Sequence, residues 1–137
     1  MSTARAGVET SRHQLPYQYV VLRCVPRADR EEFVNVGVVL YCQAAEFLDL
    51  AWEVDRGRLR AFAPDLDVDS VCHGLAFAQR VCAGDLEVGE VAQADLGTRF
   101  GFLKAPRSTV VRPGPVHGGT TTDPAATLAG LVTRQVR

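Results

Sequence analysis

Chemistry in this chain could come from three short stretches. The first is Ala105-Pro106-Arg107-Ser108-Thr109, where a guanidinium stands beside two hydroxyls on a proline-initiated turn. An arginine fork holds phosphate or carboxylate through two parallel hydrogen bonds, so Arg107, Ser108 and Thr109 read as an anion clamp. The plainer alternative is that a hydroxyl caps the turn and Arg107 pairs with a surface carboxylate. The second is His117-Gly118-Gly119-Thr120-Thr121-Thr122, a glycine-and-hydroxyl loop running into Asp123-Pro124. Helix starts attract anions, but the G-K-[ST] element of a phosphate loop is missing and Asp123 already brings a negative charge. His117 is the group of interest, because imidazole titrates near neutrality. A surface position in the loop is its bland reading. The third is Asn35-x-Gly37, an amide and a missing side chain inside an otherwise apolar run. Either the amide bonds backbone at a bulge while the glycine admits close packing, or the pair forms a notch for a ligand or partner side chain, with Asn35 donating and accepting.

Other chemistries lack their parts. Cys72 and His73 are neighbours on a helical stretch and point apart, and no serine sits in G-x-S-x-G. His13, His73 and His117 share no i, i+4 spacing, and Cys24, Cys42, Cys72 and Cys82 form no C-x-x-C pair. We therefore expect neither metal nor cofactor. Tyr17, Tyr19, Phe33 and Tyr41 fall on strand-like segments near Arg23, as on a sheet that stacks bases. With 15 basic and 16 acidic side chains, however, the net charge of −1 supplies no field toward nucleic acid or an anionic membrane. Nucleic acid ranks last among the partners.

These residues need elements to hold them. Tyr17 to Val25 is rich in aromatic and β-branched residues and ends at Pro26; Glu32 to Tyr41 repeats the pattern with four valines. The two read as a hairpin, 17–26 paired with 33–42, that leads the sheet. A strict period of two puts Val34, Val36, Val38, Leu40 and Cys42 on one face and Phe33, Asn35, Gly37, Val39 and Tyr41 on the other. In that pairing Asn35 falls opposite Cys24. Glu46 to Val54 reads as a third strand, Asp55 to Arg58 as a turn, and Ser108 to Arg112 as another strand. Val68, Val71, Cys72, Leu75, Ala78 and Cys82 recur at helical spacing, closed by Gly84, predicting a helix over 68–83. Asp123 as N-cap with Pro124 behind it starts a last helix over about 123–136. Residues 85–96 are weakly patterned, 99–104 make one or two helical turns, and His117-Gly118-Gly119 reads as flexible.

The runs Tyr19-Val20-Val21-Leu22-Arg23-Cys24-Val25-Pro26 and Arg30-Glu31-Glu32-Phe33-Val34-Asn35-Val36-Gly37-Val38-Val39-Leu40 resemble a bacterial family catalogued as domain of unknown function 3037. The likeness returns at Phe102-Leu103-Lys104-Ala105-Pro106-Arg107-Ser108-Thr109, at Val116-His117-x-Gly119 and at Asp123-Pro124, spanning residues 17–136. It implies a small protein built on this hairpin, associated with kinase-like partners encoded nearby, and no established activity.

The expectation is an α+β domain over 16–137, preceded by a disordered tail over 1–15. An antiparallel sheet of three to four strands would carry both main helices on one face. With 47% hydrophobic and 23% charged residues the chain can bury a core. Met1 to Leu15 has no apolar leader, and the cysteines sit in apolar runs, so a cytoplasmic protein with reduced thiols is expected. The leading functional expectation is a non-enzymatic accessory or recognition domain. It would meet a protein partner, kinase-like, or an anionic small molecule through Asn35, Gly37, Arg107, Ser108, Thr109 and His117. The competing one is a small enzyme acting on a phosphate-bearing or carbonyl substrate, with His117 as acid/base and Arg107 as charge stabiliser.

Overall fold

The two valine-rich runs pair as an antiparallel hairpin, β1 (Leu15–Cys24) with β2 (Val34–Cys42), and both lie inside the sheet. The structure is a computed structural model describing residues 13–107 and 109–137. Beside β2 runs β3 (Phe47–Trp52). The other side of β1 is shared: β4 (Val111–Pro113) pairs with Leu22 to Cys24, and β5 (His117–Thr121) with Leu15 to Tyr19. The result is a five-stranded antiparallel sheet, one strand more than expected. The tail expected over 1–15 falls, up to residue 12, outside the described residues. Its last residue, Leu15, is already strand and pairs with Thr121.

Among the described residues four α-helices surround the sheet: α1 (Arg56–Phe62), α2 (Val68–Ala83), α3 (Leu96–Lys104) and α4 (Pro124–Gln135). Each starts on an aspartate whose carboxylate accepts a backbone N–H of the first turn: Asp55 from Arg58, Asp67 from Ser70, Asp95 from Thr98 and Asp123 from Ala126. The stretch read as a turn at 55–58 is therefore the capped start of α1, which buries Leu59. Helix α2 matches its predicted bounds and stops at Gly84, whose φ of 74° an L-residue adopts at a penalty. Arg99 of α3 then donates to the carbonyls of Val81 and Cys82, tying off the end of α2.

The two main helices lie on opposite faces, not on one. Val68, Val71, Leu75, Ala78, Val81 and Cys82 of α2 pack with Phe100 and Leu103 of α3 against Val20, Leu22, Cys24 and Leu50. Leu128, Leu131 and Val132 of α4, with Val136 beyond it, pack against Val21, Val38, Leu40 and Cys42 on the reverse. A strand covered on both sides must be apolar on both sides, which is why β2 reads as a nearly continuous hydrophobic run.

A β-bulge reconciles that run with the pleat. Pairing passes from Leu22 opposite Gly37 to Arg23 opposite Asn35, so Val36 is the extra residue on β2. Alternation slips by one there. Val34, Val36 and Val39 face α2, while Val38, Leu40 and Cys42 face α4. The single-face assignment of all five residues from Val34 to Cys42 fails for this reason. The expected Asn35–Cys24 pairing is displaced by one residue.

Candidate functional site

The bulge separates Asn35 from Gly37. A Cβ on Gly37 would meet Trp52 Cβ at 3.0 Å and the Ala51 carbonyl and Leu50 Cδ1 at 3.2 Å, on the α2 side. Trp52 is held there by its ring N–H to Gln79, whose amide in turn donates to the Leu50 carbonyl at 3.0 Å. The space beside Gly37 is filled by β3. Asn35 points the other way, and its Nδ2 donates to the Gln135 carbonyl at 2.8 Å, at the end of α4. Arg58 Nη1 donates to the Val136 carbonyl and Arg137 pairs with Glu53 at 2.8 Å. These groups rim a cleft of about 430 Å³. The amide thus holds down a helix end whose last carbonyls have no partner within the helix, and the two residues do not share one notch.

Arg107 lies beyond the C-terminus of α3, after Pro106. Its guanidinium stacks over the Phe102 ring at 4.4 Å and donates to the Phe102 carbonyl. Phe102 meets Phe77 of α2 edge-on at 6.5 Å between centroids. Between them and β4 opens an apolar groove of about 580 Å³, floored by Gly74, Ala78 and Val111 and walled by Phe77, Phe102 and Val110. Phe77 is 40% and Val110 36% exposed. Arg107 and Thr109 stand on its polar margin. The Thr109 hydroxyl donates to the Val111 carbonyl at 2.9 Å, shaping the turn, and Ser108 lies outside the described residues.

His117 is in a strand, not a flexible loop. It opens β5 opposite Tyr19, with the two rings stacked at 5.1 Å. Gly118 and Gly119 continue the strand by pairing with Gln18 and Tyr17 of β1, and Tyr17 packs over them: a Cβ on Gly119 would fall 2.6 Å from the Tyr17 hydroxyl. Tyr17 and Tyr19 pack on the α4 side, whereas Phe102 beneath Arg107 packs on the α2 side. His117 and Arg107 therefore occupy opposite faces of the sheet. The loop into α4 satisfies itself: Thr121 Oγ1 accepts from the Asp123 N–H at 2.9 Å and bonds the Thr127 hydroxyl at 2.6 Å.

The aromatics near Arg23 also divide. Phe33 lies under the Arg23 guanidinium at 4.0 Å, while Tyr41 packs against Phe100 on the α2 side. All four cysteines are unpaired, and Cys24, Cys42 and Cys82 are buried. Burial pushes the Cys82 thiol up to about 12, and the nearby Asp49 carboxylate adds to the shift, so it is a protonated, poor nucleophile at neutral pH. Among the described residues no three His, Cys, Asp or Glu side chains gather where a metal could bind, and no helix is long and apolar enough to cross a membrane.

Sequence reasoning singled out Arg107, which lines this groove, but not Phe77, which lines it with Phe102. The available signal was an aromatic residue lying off the buried Val68–Val71–Leu75–Ala78 stripe of α2, where folding alone asks for a polar side chain.

A family model described as a protein of unknown function, DUF3037, matches residues 19–136. The chain belongs to that family. No curated protein and no solved structure matches it.

Proposed function

We propose that this member of the DUF3037 family is a recognition domain that grips a partner protein in the groove between α2, α3 and β4. The observation that carries the reading is Arg107, lying over the Phe102 ring at the lip of an open apolar groove. Binding sites are mostly apolar clefts of this size with a few placed polar groups. Stacking limits the freedom of the guanidinium, so less entropy is lost when it engages an acceptor. The occupant that fits is a segment offering an apolar side chain beside a carboxylate. Strand addition fits less well, because the Val111 carbonyl is taken by Thr109 and Pro113 has no N–H to donate. A kinase-like protein is the first partner class to try, in a bacterial cytoplasm where the four thiols stay reduced. The enzyme alternative needs His117 and Arg107 on one substrate, and the sheet stands between them.

The test is capture from the native host with wild-type protein and with Arg107→Ala, Phe77→Ser and His117→Ala. A partner held by wild type and His117→Ala but lost by both groove variants, then rebound in purified form with an affinity that falls as salt rises, is the expected result. Equal recovery by all four would refute the reading.

A further inference from the structure

A second site lies on the other face of the sheet, around Arg23. This residue sits mid-sheet on β1, opposite Asn35 of β2 on one side and Arg112 of β4 on the other. Its neighbours Leu22 and Cys24 point to α2, so Arg23 points to the α4 side, next to where α4 ends at the Asn35–Gln135 bond.

The guanidinium is crowded by the Phe33 ring and by the Gly114 backbone. The Phe33 ring lies 4.0 Å from Cζ. The Gly114 backbone closes from another direction, so near that a Cβ there would fall 3.0 Å from Cζ and Nε and 3.2 Å from Nη2. Folding has confined the cation without pairing it to a carboxylate among the described residues. Nε is enclosed without an acceptor, and the terminal nitrogens have no protein acceptor among the described residues. The carboxylate nearest in sequence, Asp29, is paired with Arg27, and Glu32, next to Phe33, is paired with Arg30. The cross-strand amide adds an enclosed Asn35 Oδ1 that also lacks a partner.

A half-buried cation normally finds a carboxylate, because losing hydration without one is costly. Here a rigid, planar fork is kept charged beside an amide, while Phe33 remains 43% exposed. We infer that Arg23, clamped by Phe33 and Gly114, is a binding site for an oxyanion, either phosphate or carboxylate, received on its terminal nitrogens. This surface lies across the sheet from the Arg107 groove and neither depends on the other.

Gly114 makes the inference testable without deleting the charge. Its backbone needs no positive φ, and an added methyl meets only the far end of the Arg23 side chain. Gly114→Ala should therefore fold normally and displace the guanidinium. The arginine side-chain N–H resonances of isotope-labelled full-length protein would be followed while inorganic phosphate, acetate or chloride is added, with Arg23→Lys identifying the Arg23 signal. The expected result is a saturable shift of that signal with phosphate or acetate, whichever is the better mimic, and none with chloride. In Gly114→Ala and Arg23→Lys, binding of the same anion, read from the backbone amides of Arg23 and Asn35, should weaken roughly ten- to a hundredfold, the range of a charge-assisted hydrogen bond. No saturation with either oxyanion overturns the inference, as does equal binding by wild type and both variants. Should one variant fail to fold, the other decides.

Discussion

Two glycines with crowded neighbours allow the packing argument to be tested against simple distance. At Gly119 an added Cβ would lie 2.6 Å from the Tyr17 hydroxyl; at Gly37 the nearest atom, Trp52 Cβ, is at 3.0 Å. Distance alone ranks Gly119→Ala as the worse substitution. Movability ranks them the other way. All the atoms crowding Gly119 belong to the outer end of the Tyr17 ring, which can swing toward solvent from a half-buried position. Those crowding Gly37 are a Cβ and a carbonyl of β3, fixed by the ladder and by the Trp52–Gln79–Leu50 hydrogen bonds, with Leu50 Cδ1 buried behind them. Overpacking a rigid core costs about 1–3 kcal/mol, and replacing glycine returns about 0.4–1 kcal/mol through the unfolded chain. Gly37→Ala should thus destabilise by about 1–2 kcal/mol, and Gly119→Ala should fall within about 0.5 kcal/mol of wild type. Urea denaturation of the three proteins, with unchanged m-values, measures both. If Gly119→Ala proved the more destabilised, or Gly37→Ala were neutral, the account of the central strand would be wrong.

Asn35→Ala removes the bond to Gln135 and should cost about 1 kcal/mol; hydrogen exchange should speed up at residues 134–137 before it does in α2. Of the four thiols, half-buried Cys72 should react first with a disulfide reagent in native protein, while Cys24, Cys42 and Cys82 should wait for unfolding; simultaneous loss of all four would contradict their burial. Stability should also depend on pH at both ends. The Ser70 hydroxyl at Asp67, the Arg80 guanidinium at Asp85 and the Thr98 N–H at Asp95 each hold a carboxyl below its ordinary value of 3.8. Their contribution is present above that value and lost as pH falls through the folded values. Raised Cys82 acts oppositely, contributing below the ordinary thiol value of 9.0 and losing that contribution as pH climbs toward about 12. Thermal midpoints should be level near neutrality and fall on either side; a midpoint that rises below pH 4 would refute the acid half.

Much of this was legible in the chain, and the failures share a cause. Helices α2 and α4 were readable because their caps and apolar spacing are local signals, as at Asp123-Pro124 and Gly84. The hairpin was readable from its β-branched residues. What escaped depends on residues far apart in sequence. Strand β5 exists because it pairs with Leu15 to Tyr19 of β1, about a hundred residues earlier, and Gly118-Gly119 carries no strand propensity of its own. The split of the helices between two faces follows from a slip at Val36 that a period of two cannot express. The site divides in the same manner: the Arg107 turn was visible at an element end, but its groove needs Phe77 and Phe102 brought together from two helices. Asn35 and Gly37 were separated by the same slip.

The shared flank of β1 also bears on how the protein is made. The segment from residue 111 onward supplies both strands that close that flank and the helix that shields Val21, Val38, Leu40 and Cys42. A nascent chain that has reached only α3 already holds the central ribbon and one cover, with the reverse of the ribbon bare and greasy. Such a half-clad intermediate is a target for chaperones and a seed for aggregation, so expression fragments cut before β4 should be recovered as inclusion bodies.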